Sequence, residues 1–416
     1  MPRAGDPMST RSLAARPAQA LTRVVVSAAY GAQGFGYAAV MTTLPTFKTR
    51  FGMSATVVSA SVLLVCATAA LGSLAAGAIG KRFGSRVSLS LGLAVQAVSL
   101  LAVATSNGMG MFLALMAIYG VGLGAVDAAT AMQGVLVERL RGRRVLSGFF
   151  AVYTAGAIVA ALVVSGAVAQ QVAVAGVVGA GLLTAVVAVA GWWFFAVDET
   201  TPQPVATAET AGAEEKSLSA RRGIWLFGTA ILVIFTADSA VSTWSTEYLQ
   251  TTLKALPAAA PLGYAAYQAV VLVTRLTGDR LSARLGRRTL VTVASIIGIA
   301  GFLLVALVHT LPAAIIGFAV VGVGVGVVVP MTFSAAGEVD PGQSDRIVSD
   351  MNTFNYIGAV IGGGIIGPLA DTGMGMAWAF LVPAVLLAAM PVLARHYGMH
   401  RAVTAAQQEK VPTPVG

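Results

Sequence analysis

The sequence predicts an all-α polytopic membrane protein, with twelve transmembrane helices in two pseudo-symmetric six-helix bundles. Three observations lead there. Of the 416 residues, 57% are hydrophobic and only 10% are charged, against about 25% charged in a soluble domain. Apolar stretches of spanning length recur along the chain, divided by short polar turns. The chain also repeats itself. Gly120, Gly122 and Gly124 return as Gly322, Gly324 and Gly326. Arg82, Gly84, Arg86, Ser147 and Gly156 return as Arg284, Gly286, Arg288, Ser349 and Gly358, every pair 202 positions apart. A repeat held in register without a gap marks two copies of one unit.

Residues 1–21, with Arg3, Arg11 and Arg16, read as a basic disordered tail. The first bundle covers 22–197. Its first span runs over about 22–47 and carries Tyr30, Gln33 and Tyr37 on one helical face, which in lipid needs a polar partner or water. Span two (about 56–79) ends in a tight basic turn reaching Arg86. Span three (about 87–106) is almost featureless, and Ser106-Asn107-Gly108 turns the chain. Span four holds the glycine run and Asp127, and ends in a basic stretch through Arg144. Spans five and six (about 147–169 and 173–196) finish at the interfacial aromatics Trp192, Trp193 and Phe194.

From 198 to 222 the composition turns polar, Pro- and Ala-rich and aperiodic, which reads as a flexible cytoplasmic linker. The second bundle, 223–396, repeats the pattern at about 223–246, 258–279, 289–309, 312–336, 347–370 and 376–395. Residues 397–416 read as a disordered tail. Six plus six spans put both termini on one side.

Charge says which side. The net charge of +9 looks like a nucleic-acid signal, but about 22 of the 26 Lys and Arg fall on one face of the predicted topology and about three on the other. That is the positive-inside rule, so the expected partner is the lipid bilayer and not a nucleic acid. The chain is expected as a multi-pass protein of the cytoplasmic (cell inner) membrane, with cytoplasmic termini and as a monomer. No cleavable signal peptide is evident, since the first twenty residues are basic and polar. The single cysteine, Cys66, cannot form an intrachain disulfide. No Walker motif, nucleophile elbow or metal-spaced His or Cys cluster appears, so no enzyme activity, metal or cofactor is expected.

The loop between spans two and three resembles the signature of the major facilitator superfamily of secondary transporters. The superfamily pattern is G-x-x-x-D-R-x-G-R-R/K, and here Gly77, Arg82, Gly84 and Arg86 match, while Lys81 stands for the acid and Ser85 for an arginine. The second copy runs from Asp279 and Arg280 through Arg284, Gly286 and Arg288, with Ala283 at the acid position. The likeness extends over about 22–396. It is closest to a poorly characterised bacterial branch with Gln133-Gly-Val-Leu-Val-Glu138 after a glycine-rich fourth span, Asp238 and Trp244 in span seven, and R-x-x-G-D-R from Arg275 to Arg280. That branch is distantly similar to sugar:proton symporters. The glycine-proline motif of drug antiporters is absent from span five.

The resemblance implies that spans one, four, seven and ten line a central cavity, and that the basic turns with Arg275 and Asp279 gate it. Candidate substrate or coupling residues are then Tyr30, Gln33, Tyr37, Asp127, Thr130, Asp238, Trp244 and Asn355. A charge at the centre of a membrane helix costs roughly 2.5–3.5 kcal/mol, so Asp127 and Asp238 read as functional by default. A carboxylate in a dry cavity can load and release a proton near neutral pH. A structural pair with a neighbouring helix is the competing reading for both. Asp127 is expected to lack a cationic partner, because no Arg or Lys lies within two turns and Arg275, one turn from Asp279, pairs there. Trp244 reads as a ring stacker or an interfacial anchor, Glu247 as a solvated residue at its helix end, and Asn355 as cavity lining or helix–helix glue. The sequence points to a small-molecule transporter working by alternating access and driven by a proton gradient. A passive facilitator, a drug or metabolite exporter, and a non-transporting receptor are the alternatives.

Overall fold

The computed structural model describes residues 7–141, 146–197, 213–337, 344–372 and 375–397. Twelve helices run through them. The first six are α1 (Pro7–Phe51), α2 (Ala55–Phe83), α3 (Ser85–Ala104), α4 (Met109–Arg141), α5 (Leu146–Ala169) and α6 (Ala175–Phe194). Then come α7 (Ala213–Glu247), α8 (Pro261–Leu285), α9 (Arg287–Leu307), α10 (Leu311–Gly337) and α11 (Ser344–Asp371). The last, α12 (Met376–His396), slackens at Phe380 and again at Ala388 and Ala389. Pro383 and Pro391 lie just downstream of these breaks, and a proline removes one backbone donor and crowds the preceding turn.

Ten of the helices are long and apolar enough to cross a membrane. The other two, α8 and α11, have 25 and 28 residues, enough to span at about 1.5 Å per residue. The apolar lengths are those of the described side chains, which for α11 begin at Phe354, and α8 carries part of the candidate site. Two helices start earlier than the apolar pattern implies: α1 at Pro7, inside the expected tail, and α7 at Ala213, inside the expected linker. Alanine-rich polar sequence has enough helix propensity to extend a helix already nucleated by its apolar part. Residues 198–212 and 398–416 of the expected linker and tail lie outside the described residues.

The chain packs as two compact units, Met1–Phe51 with Leu64–Gln203, and Gly52–Leu63 with Pro204–Gly416. Sequence division places all of span two in the first bundle, whereas packing gives its first third to the second unit. There Asp371, at the end of α11, accepts from the Thr56 backbone N–H (2.8 Å) and its hydroxyl (2.6 Å), capping the start of α2. Ser59 donates to the Gly363 carbonyl at 3.3 Å.

The repeated glycines explain the rest of the packing. In the first unit Gly120 and Gly124 lie against α2 at Val65, Thr68 and Ala69, while Gly122 lies against Gln96 of α3. In the second, Gly322 and Gly326 lie against α8 at Tyr267, Val271 and Thr274, and Gly324 against Ala294 of α9. Alternate glycines thus serve two different neighbours, and at all but Gly324 an added Cβ would come closer than 3.0 Å to a neighbour, as small residues allow in lipid-embedded bundles. Helices α3, α6 and α9 turn apolar side chains outward. Leu91, Val95 and Val98 of α3, Val186 and Val189 of α6, and Val293 and Ile296 of α9 are exposed apolar residues, suited to a lipid surface.

Candidate functional site

In the first unit, α1 and α4 bring their polar residues together. Gln33, buried, donates through Nε2 to Asp127 Oδ1 at 2.7 Å and to the Leu123 carbonyl at 3.2 Å. Its own carbonyl, Oε1, is buried without a partner. One turn away on α1, the Tyr30 hydroxyl donates to the Thr130 carbonyl at 3.2 Å, and its ring stacks on Phe149 at 5.3 Å. Thr130 is occupied with its own helix, donating to the Val126 carbonyl at 2.7 Å. Tyr37 is half-buried farther along the same face of α1. Tyr30, Gln33 and Tyr37 share one face by their spacing, and Tyr30 and Gln33 on it meet α4.

Asp127 departs from expectation in one respect. No cation pairs with it among the described residues, but it is exposed, so the site is not dry. Its hydrogen-bond partner is a neutral amide.

In the second unit Asp238 of α7 meets α8. The Tyr267 hydroxyl donates to Asp238 Oδ1. Gln268 Nε2 donates to the Tyr264 hydroxyl at 2.6 Å, and the two tyrosine rings lie 6.1 Å apart. Arg275, two turns further along this face of α8, is close enough to act electrostatically on Asp238 and on both phenols. Its expected pairing with Asp279 involves a side chain outside the described residues. Sequence reasoning missed Tyr264, Tyr267 and Gln268. Their i, i+3, i+4 spacing in α8 is the same kind of signal that Tyr30 and Gln33 give in α1.

Two readings on α7 are corrected. Trp244 is fully buried, and its indole N–H donates to the Gly363 carbonyl at 3.0 Å, tying α7 to α11. It is neither an interfacial anchor nor open to a substrate ring here. Glu247 is 3% exposed and so not a solvated helix end. Beside it, the hydroxyls of Thr243, Ser245 and Thr246 are buried without partners. Asn355 of α11 is half-buried. On α10, Thr332 shares a 2.6 Å hydrogen bond with the Tyr397 hydroxyl.

The basic turns form by one device in both units. Gly84 alone joins α2 to α3, with φ 87° and ψ 156°, and Gly286 joins α8 to α9, with φ 78° and ψ 148°. This backbone region is essentially reserved for glycine. Arg82 is exposed over the Phe83 ring, 5.1 Å from its centroid. Arg280, Arg284 and Arg288 are exposed, Arg86 is half-buried, and a Cβ on Gly77 would meet nothing within 4 Å. The Gln133–Glu138 stretch is structural. Gln133 donates to Ser85 Oγ and the Ala196 carbonyl, both at 2.9 Å, and Glu138 accepts from the Leu146 N–H at 3.0 Å, capping α5.

Among known proteins, the family model described as Major Facilitator Superfamily matches residues 26–363 and 226–415. An uncharacterised MFS-type transporter of Yersinia pestis is 28% identical over 87% of this chain and 92% of its own length. The membrane protein MosC of Rhizobium meliloti is 25% identical over 90% of each. Among solved structures, the nucleoside transporter NupG superposes with a TM-score of 0.70 at 14% identity, over 90% of this chain and 98% of its own. The fucose:proton symporter FucP of E. coli superposes with 0.61 at 16% identity, over the same shares. At these identities the two structures speak for the fold.

Proposed function

Because this chain belongs to the Major Facilitator Superfamily, we propose that it carries a small organic solute across the cytoplasmic membrane by alternating access, with proton coupling at Asp127. The observation that carries this reading is the Gln33–Asp127 pair. The ionised carboxylate accepts from the amide Nε2, at 2.7 Å. A protonated carboxyl needs an acceptor instead, and the Gln33 Oε1 stands buried and unused. Turning the amide by half a revolution offers Oε1 to the protonated form, at the expense of the hydrogen bond to the Leu123 carbonyl. Asp238, by contrast, has a phenol donor and a nearby guanidinium, a setting that suits a standing charge rather than a travelling proton.

Alternating access here means one repeat rocking against the other about a site near the midplane. Amides, phenols and hydroxyls surround the two carboxylates, and transporters of a nucleoside and of fucose with protons share the fold. Hydroxylated, uncharged solutes are therefore the first class to screen by thermal shift, before amphipathic amines and organic acids.

The test is transport in proteoliposomes under an imposed pH gradient. Asp127→Asn fixes the neutral state at nearly constant shape. It should abolish accumulation yet keep exchange of labelled for unlabelled solute, since exchange requires no net proton movement. Accumulation that survives in Asp127→Asn and still follows the pH gradient would place coupling elsewhere, with Asp238 next. An unaltered protein that equilibrates solute but never concentrates it would be a passive facilitator.

A further inference from the structure

Where α7 leaves its polar N-terminal part and turns apolar, the second unit carries a groove of about 450 Å³. It is lined by Arg221, Arg222, Trp225, Leu226, Thr229 and Leu393. By the alternation of the helices, this end of α7 lies at the same end of the unit as the basic turn Arg280–Arg288 and the close of α12. Both arginines are exposed, and Trp225 is 63% exposed.

The ring of Trp225 is nevertheless placed, meeting Phe354 of α11 edge-on at 5.4 Å. The Thr229 hydroxyl donates to the Trp225 carbonyl at 2.7 Å, so its proton is already committed. Among the described residues, the donors left facing the groove are the two guanidinium groups, and none of those that line it is a carboxylate. Two guanidiniums lining one groove select an anion with several acceptor oxygens, and phosphate is the usual one.

The apolar part of the groove decides what the phosphate belongs to. Trp225, Leu226 and Leu393 present ring and aliphatic surface beside the charges, with Val392 also exposed next to them. A water-soluble anion gains nothing from that surface, whereas an amphiphile uses both parts. Tryptophan at the border of an apolar span sits at headgroup level, and basic pockets at that level are suited to anionic headgroups. We propose that this groove binds one anionic phospholipid, its phosphate between Arg221 and Arg222 and its glycerol and first acyl carbons on Trp225 and Leu393.

The probe is the full-length protein in phosphatidylcholine nanodiscs containing brominated phosphatidylglycerol or brominated phosphatidylcholine, whose bromines quench tryptophan on contact. Subtracting the Trp225→Phe variant isolates the Trp225 signal. Quenching should half-saturate at a mole fraction roughly 20- to 30-fold lower for the glycerol lipid, the preference expected of two near-surface cations. In the Arg221→Gln, Arg222→Gln double variant the two lipids should become equivalent. Equal quenching in the unaltered protein overturns the proposal, whatever the variant's folding. So does a double variant that elutes as a single species and keeps the preference. Loss of the preference on adding inorganic phosphate at millimolar concentration would make this a site for a soluble anion and would equally overturn it.

Discussion

At Gly84 and Gly286 the chain reverses through a single residue, and the cost of that turn is conformational rather than steric. A Cβ at Gly84 would meet nothing within 4 Å, as at Gly77. The two differ only in backbone, since Gly77 is helical and Gly84 has φ 87°. Gly84→Ala should therefore destabilise the solubilised protein by about 1–3 kcal/mol, read as a lower melting temperature, while Gly77→Ala should melt as the unaltered protein does. Equal melting of the two variants would show that the turn relaxes without strain. At this scale the sequence was partly legible. The glycines of the turns stood out by their repetition, whereas Trp244 and Glu247 were misjudged. Their identity says amphipathic and charged, but the local pattern does not say that α11 covers Trp244.

Among the elements, α4 and α10 do the same work at equivalent positions. A Cβ on Gly124 would run into the Ala69 carbonyl of α2, and one on Gly326 into the Thr274 hydroxyl of α8. Backbone and a β-branched side chain leave little slack, and overpacking a filled interface typically costs about 1–3 kcal/mol or more. Gly124→Val and Gly326→Val should each abolish the single-species elution of the detergent-solubilised protein. Gly110→Val, also on α4 but with open space around it, should elute normally. Tolerance of valine at Gly124 would mean that α2 and α4 are not held in this close packing.

For the whole molecule, the charge asymmetry predicts an orientation that can be checked without knowing the substrate. In a Cys66→Ser background, a cysteine placed at Ala211 should react with a membrane-impermeant reagent only after permeabilisation, and one at Asn107 should react in intact cells. Labelling at Ala211 in intact cells would sink the twelve-span orientation. On α8 the polar residues pair with α7, and on α11 the backbone carbonyls of Ala359 and Gly363 receive the hydrogen bonds of Ser239 and Trp244.

The sequence by itself determined the membrane class, the two-fold repeat, the placement of the helices and the glycine faces. Each of these depends on hydrophobicity, on identity at a fixed offset or on local backbone preference, all of which are written along the chain. Only the tertiary structure decided what meets the two carboxylates. Gln33 and Asp127 are 94 positions apart, and Asp238 and Tyr267 are 29 apart. Whether a cation, an amide or a phenol faces an acid depends on how far each helix is rotated about its axis against its neighbour. A residue's partner is therefore a property of the packed pair of helices and not of either helix alone.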